Sequence, residues 1–288
     1  MGRLVALVCN DPDRLACALA PVRDALQAGT PAASGVGSYQ GGDVLLRRRP
    51  TASGSHVDFF DVVHGLRTDT FIAHARTPTV GDNRNENTHP FRFRSWLFAH
   101  HGTLPGFGAA AGTVELDRPS AQQEALSEVL RAEIPDFLLR NLHGQTDSEL
   151  LFHLFLTRLH ESQHLDIPET RLVDAEAALH RTIRRLDDVL RERGLLTDAP
   201  SPFGAITLAN GRFLLAAARG TSLQVRYTEG VRDCIVCREA GRSFTHEHLR
   251  AVLLVSDLPA GTPGFSTVRD GTVLAVARDL GITESLLR

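Results

Sequence analysis

A layered protein of sheets and helices is predicted by three features of this chain. Strand-like apolar runs open it, helical periodicity fills its middle, and short strand candidates dominate from Phe203 onward. Leu4 to Cys9 reads as a buried first strand. Asp11 is a good N-cap and Pro12 a good first helical residue, and Leu15, Leu19, Val22 and Leu26 follow at helical spacing. A helix is therefore expected from Pro12 to about Gln27. Gly29 to Gly42 is rich in Gly, Ala and Ser and reads as a loop entering a strand that Val44 to Arg48 continues. Phe71 to Ala75 and Ser95 to His100 are further strand candidates.

The middle of the chain changes period. Pro105 to Ser120 has little pattern and reads as a surface excursion, whereas Ala121 to Arg131 reads as helix. Thr146 and Glu149 form a T-x-x-E capping box ahead of Leu150, Leu151, Leu154, Phe155 and Leu159, which places Asp147 in a first helical turn. Thr170 is expected to begin another helix, with Leu172, Leu179, Ile183, Leu186 and Leu190 on one face and Gly194 at its end. Strands are then expected at 205–208, 213–217, 223–226, 251–255 and 272–276. Asn210-Gly211 is a hairpin signal between the first two.

Bulk properties narrow the functional classes. The chain has 288 residues, 42% hydrophobic and 23% charged, with a formal net charge of -3. That is an ordinary globular composition and points to no nucleic-acid partner. The basic run Arg47-Arg48-Arg49 is short and reads as a solvated strand end. No apolar stretch approaches the roughly 18 residues that a membrane span needs. Leu4 to Cys9 is too short for a signal peptide and is interrupted by Asn10-Asp11-Pro12-Asp13, so a cytoplasmic location is expected. Four cysteines are too few for a disulfide framework, and Cys9 and Cys17 read as small buried hydrophobes. Cys234-Ile235-Val236-Cys237 has metal or redox spacing, but its flanks look like strand and no second cysteine pair accompanies it. His153, His160 and His164 lie near one another on a possible helix and read as surface residues. No metal and no cofactor are therefore expected.

Five segments carry a family resemblance. They are Met1-Gly2-Arg3-Leu4-Val5-Ala6-Leu7-Val8-Cys9, His74-Ala75-Arg76-Thr77-Pro78-Thr79-Val80-Gly81, Asn87-Thr88-His89-Pro90-Phe91, Phe98-Ala99-His100-His101-Gly102-Thr103-Leu104 and Gly144-Gln145-Thr146-Asp147-Ser148-Glu149. Together they resemble the glutamine-hydrolysing domain of the class II glutamine amidotransferases, a branch of the N-terminal nucleophile hydrolases. The resemblance implies an α+β fold, a four-layer αββα sandwich of two mainly antiparallel sheets flanked by helices, with residues 1–288 as a single domain. It also implies that Arg76 binds the carboxylate of glutamine, that Asp147 receives its α-ammonium group, and that the backbone N–H of Gly102 serves an oxyanion. A guanidinium suits a carboxylate through paired hydrogen bonds.

Three positions depart from the family pattern. The family's nucleophile is a cysteine exposed by removal of the initiator methionine, and here that position is Gly2. A free α-amine there would retain the base and lack the nucleophile. Cys9 is expected to be about 23 Å farther along the strand, out of reach. The family's second oxyanion donor is an asparagine, and here it is His101, whose imidazole differs in reach and plane. Removing one such donor typically costs about 2.7–4 kcal/mol of transition-state stabilisation. His100, which precedes it, reads as a packed and satisfied residue. Where the family often has Asp-Gly-Trp-Gly, this chain has Ser34-Gly35-Val36-Gly37.

The expected function is a catalytically impaired or noncatalytic relative that keeps a pocket for glutamine or a γ-glutamyl compound and acts as a binding or regulatory subunit. The alternative is a working glutamine or γ-glutamyl amide hydrolase that supplies ammonia or trims a γ-glutamyl group. An ammonia-using reaction would need a separate synthase partner.

Overall fold

The computed structural model describes residues 2–23, 33–50, 62–77, 79–107, 121–167, 169–196, 199–243 and 245–287. The expected end of the first helix, the beginning of the 29–42 loop and most of the 105–120 excursion lie outside these residues.

Thirteen strands and six α-helices are described. In chain order they are β1 (Arg3–Cys9), α1 (Leu15–Leu19), β2 (Ala33–Gln40), β3 (Asp43–Pro50), β4 (Thr70–Arg76), β5 (Phe91–Phe93), β6 (Trp96–His101), α2 (Ala121–Ala132), α3 (Asp136–Leu139), α4 (Asp147–Glu161), α5 (Leu172–Glu192), β7 (Gly204–Ala209), β8 (Phe213–Arg219), β9 (Leu223–Val231), α6 (Ile235–Glu239), β10 (His246–Ser256), β11 (Ser266–Thr267), β12 (Thr272–Ala277) and β13 (Ile282–Leu286). One sheet runs β11-β9-β10-β1-β4-β2-β3 and the other β13-β12-β8-β7-β6-β5. Every neighbouring pair is antiparallel.

Side-chain alternation along the strands produces the layers. In β1, Leu4, Ala6 and Val8 join Leu97, Ala99, Leu214, Ala216 and Leu274 in a core between the two sheets. The intervening Val5, Leu7 and Cys9 pack on the outer side against Leu15, Ala18 and Leu19 of α1. In β6, Phe98 faces the opposite way, into a cluster with Phe152 and Phe155 of α4 and Ile183 and Leu186 of α5. The order is thus α1 and α6, seven-stranded sheet, six-stranded sheet, then α2, α4 and α5: the expected αββα sandwich.

Several local expectations are revised. The first helix is not continuous. Single 3-10 turns at Pro12–Arg14 and Ala20–Val22 flank α1, and in the second of them Pro21 brings no N–H for the helical ladder. The segment holding Cys234 and Cys237 is not strand: Cys234 precedes α6 and Cys237 lies within it. The capping box is one-sided. Thr146 accepts from the Glu149 N–H at 3.2 Å, but the Glu149 carboxylate accepts instead from the N–H groups of His143 and Gly144. α5 starts at Leu172, and the Thr170 hydroxyl bonds back to the carbonyls of His164 and Ile167. The end of α5 is as expected, with Gly194 at φ +67° and the Leu195 N–H reaching the Leu190 carbonyl. Asn210-Gly211 turns β7 into β8, with Gly211 at φ +80°. His153 is buried, not superficial.

Candidate functional site

Strand parity places the site. Even-numbered residues of β1 and β4 and odd-numbered residues of β6 point into the space between the sheets, where the neighbouring positions are Leu4, Ile72 and Ala99. At one end the same faces carry Gly2, His74, Arg76 and His101. Fully burying a leucine or valine contributes roughly 1.5–3 kcal/mol, so polar groups here give up stabilisation that the rest of this layer keeps. These residues line a cavity of about 230 Å³, together with His89, Gly102, Asp147 and Asp257. A larger cavity of about 510 Å³ lies among Arg48, Arg92, Asn141 and His143 and shares none of the sequence-derived site residues.

Gly2 sits at the mouth of β1. A Cβ added there would lie 2.8 Å from the Ala75 carbonyl oxygen, 3.3 Å from the Thr77 nitrogen and 3.4 Å from His101 Nδ1. The wall thus stands closer to position 2 than a side chain would allow without some displacement. Cys9 is elsewhere: its sulfur faces the carbonyls of Asp11 and Thr68 and is absent from the cavity lining, as the strand geometry predicts.

Arg76 and Asp147 reach the same cavity from different layers. The Arg76 guanidinium donates to the carbonyls of Val80 (2.7 Å), Gly81 (3.1 Å) and Asp82 (2.9 Å). Three of its five N–H bonds therefore brace the 80–82 turn, leaving two for a ligand. Burial pulls Arg76 below its ordinary value, and Asp147 and Asp82 pull it back up. Asp147 stands in the first turn of α4, where Oδ2 accepts from the Leu104 N–H at 2.7 Å. One carboxylate oxygen fixes the loop after β6, and the other faces Ser148 at 3.5 Å. Asn87 ties these loops together. Its amide donates to Asp82 at 2.8 Å and its carbonyl accepts from the Gln145 N–H at 2.9 Å.

The adjacent histidines of β6 point in opposite directions, as a strand requires. His100 faces α4. Its Nε2 lies 2.6 Å from the Phe203 carbonyl, an acceptor only, so Nε2 carries the proton and Nδ1 accepts from the Ser148 hydroxyl at 2.8 Å. Burial pushes His100 below its ordinary value, against the opposite pull of Asp147 and the Phe203 carbonyl. His101 faces Gly2. Its Nε2 lies 2.6 Å from Asp257 Oδ2, and Thr221 donates to the other oxygen of that carboxylate at 3.2 Å. In a neutral His101 the Nε2 proton is used on Asp257, so Nδ1 presents a lone pair toward Gly2. It becomes a donor only in the imidazolium form. Gly102 is required by packing: a Cβ there would run into the Phe203 carbonyl and Gly204.

Sequence reasoning missed Asp257, His74 and His89 as site residues. Asp257 follows β10, distant in sequence from every other lining residue, and adopts φ +53°, a conformation that aspartate tolerates better than most side chains. His74 and His89 are buried with ring centroids 4.4 Å apart. Burial holds both well below the ordinary histidine value, and their neighbouring charges add to the effect. Their ring nitrogens have no protein partner. Each neutral ring offers one donor and one acceptor to whatever enters the cavity.

Comparisons with known proteins agree with this architecture. Residues 1–124 match the family model of the class-II glutamine amidotransferases. The probable glutamine amidotransferase DUG3 of Saccharomyces cerevisiae is 31% identical over 93 residues, which is 32% of this chain and 22% of that protein. The chain thus matches less than a quarter of that relative's length. A glutamine aminotransferase class-II domain protein from Silicibacter pomeroyi superposes with a TM-score of 0.60 at 21% identity, covering 99% of both chains. Glutamine phosphoribosylpyrophosphate amidotransferase from B. subtilis superposes with a TM-score of 0.54 at 12% identity, covering 99% of this chain and 49% of that one. The chain is class II glutamine amidotransferase-like, with the two-sheet fold of those structures.

Proposed function

We propose that this chain binds glutamine or a γ-glutamyl compound in the cavity between Gly2, Arg76 and Asp147, and does so without the covalent hydrolysis that the family resemblance implies. One observation carries the reading: the two charged residues suited to an amino acid's carboxylate and ammonium line one cavity, and the wall beside Gly2 crowds the position of a nucleophilic side chain. No cysteine is among the residues lining that cavity. His74 and His89 add neutral donors and acceptors suited to an uncharged amide. The remaining N–H bonds of Arg76 hold the carboxylate, and Asp147 Oδ1, whose contact with the Ser148 hydroxyl is long at 3.5 Å, takes the ammonium. A chain of this kind serves as a binding or regulatory subunit, with a separate synthase as the fitting partner class.

A second reading is hydrolysis by other groups, and two arrangements favour it. The Ser148 hydroxyl donates to His100, the relation of a nucleophile to its base. His101, oriented by Asp257, points an acceptor nitrogen toward Gly2, where it would draw a proton from a water.

Ammonia release from glutamine and glutamate release from γ-glutamyl dipeptides distinguish the readings. Under the first, the purified chain shows no turnover above the Arg76→Ala variant, while saturating glutamine raises the melting temperature of the unaltered chain alone. At 100 times Kd such a ligand adds about 2.7 kcal/mol of stability. Turnover lost in Arg76→Ala would overturn it, and loss in Ser148→Ala or in Asp257→Asn would then identify the group responsible.

A further inference from the structure

A second cluster of chemically capable groups lies on the far side of the seven-stranded sheet, away from the cavity. Cys17 projects from α1. Cys234 precedes α6, and Cys237 follows one turn later on the same face, as i and i+3 positions do. His246 opens β10, just before the irregularity that shifts its register against β9. The three thiols are buried, and His246 is only 9% exposed. Sequence reading set the Cys234/Cys237 pair aside for want of partners. The fold supplies them from positions 217 residues earlier and nine residues later.

The distances fit a metal better than they fit packing. The Cys17 and Cys237 sulfurs are 3.5 Å apart, and the Cys237 sulfur is 3.3 Å from His246 Nε2. All four ligand atoms lie within 4.8 Å of one another. Around a tetrahedral zinc, Zn–S bonds of about 2.3 Å and a Zn–N bond of about 2.0–2.1 Å place sulfurs about 3.8 Å apart and sulfur from nitrogen about 3.6 Å apart. These two edges fall within about 0.3 Å of the tetrahedral values. Small side-chain rotations bring in the wider separations. Three thiols and an imidazole supply the soft sulfur and nitrogen donors that zinc selects. Arg14, in the turn leading to α1, brings a guanidinium nitrogen to 3.9 Å from the Cys237 sulfur.

We propose that Cys17, Cys234, Cys237 and His246 hold one tetrahedral Zn²⁺ ion as a structural site. On binding, each thiol passes its proton to solvent and the neutral imidazole donates its Nε2 lone pair. The three thiolates and the ion then carry one net negative charge, which Arg14 offsets. All four positions are filled by protein, so the site is closed to substrate. It joins α1, α6 and the start of β10, and so ties the outer helical layer to the seven-stranded sheet.

The test is elemental analysis of the full-length chain purified with reductant and without added metal, followed by chelation and cobalt replacement. The expected result is about one zinc per chain. Chelation lowers the melting temperature by about 5 °C or more and zinc restores it. Cobalt(II) gives the visible spectrum of a tetrahedral thiolate site. Cys234→Ser and His246→Ala each lose the stoichiometric metal, and should either fail to fold, the cobalt spectrum of the unaltered chain still decides. Substoichiometric metal that added zinc does not raise would overturn the proposal. So would iron in its place, or a Cys17–Cys237 disulfide in the peptide map of the unreduced, alkylated protein.

Discussion

Gly2 and His101 form a coupled pair of departures. His101 Nδ1 would be 3.4 Å from a Cβ on residue 2, and the Ala75 carbonyl would be 2.8 Å from it. A side chain at position 2 therefore meets both a backbone atom that must shift and a ring held by Asp257. Gly2→Cys alone is expected to leave glutaminase activity at least about 10²-fold below that of Gly2→Cys with His101→Asn, the range set by one missing oxyanion donor. Steady-state ammonia release checks this, and equal activity of the two variants would show that His101 is no obstacle. The family resemblance singled out Gly2, His101, Gly102, Arg76 and Asp147, and all five line one cavity. Their partners were not legible in the sequence. That Arg76 spends three N–H bonds on the 80–82 turn, and Asp147 one oxygen on Leu104, depends on loop paths that no local pattern encodes. The retained glycines of Ser34-Gly35-Val36-Gly37 have a packing reason. A Cβ at Gly35 would collide with the His89 carbonyl and one at Gly37 with Leu97, so β2 comes close to the segment before β5 and to β6 of the opposite sheet.

At the level of elements, alternation and helical spacing identified most strands and helices, because one-sided burial imposes periods of 2 and 3.6. Failures came where a single residue overrode the pattern, as Pro21 does after α1, or where a short apolar run suited either state, as at Cys234 to Cys237. α5 shows a contact invisible to periodicity. Its Asp187 is buried on the apolar face, where Oδ2 pairs with Arg219 Nη1 of β8 at 2.7 Å and Oδ1 accepts from the Ser201 N–H at 3.0 Å. Removing one partner of a buried pair strands the other charge. Asp187→Ala is expected to lower unfolding stability by about 3–5 kcal/mol, measured by denaturant titration. A loss below about 1 kcal/mol would mean that water reaches Arg219 and screens it.

Across the whole molecule, the sandwich buries three imidazoles beside the cavity, His74, His89 and His100, each held below its ordinary value by burial. The unfolded chain binds protons as pH falls through about 6.5 while the folded chain keeps these rings neutral. Stability is therefore full above about pH 6.5 and declines below it, by up to about 1.4 kcal/mol per pH unit for each ring until the folded-state values are reached. Denaturant titrations at pH 7.5 and 5.5 check the sign: equal stability at both would mean that the rings are hydrated and ionise freely in the fold. The four-layer architecture was legible because sheet, helix and sheet segments follow one another in the chain. The convergence of Asp257 with Gly2 was not, since β10 pairs with β1 across some 250 residues. The central claim is a pocket that holds a γ-glutamyl group and leaves it intact. A crystal structure of the unaltered chain grown with saturating glutamine tests it most directly. The predicted result is whole glutamine beside Gly2, its carboxylate on Arg76 and its ammonium on Asp147, with the side-chain amide uncleaved. Glutamate in its place, an acyl group bonded to the protein, or no ligand between Arg76 and Asp147 would contradict it.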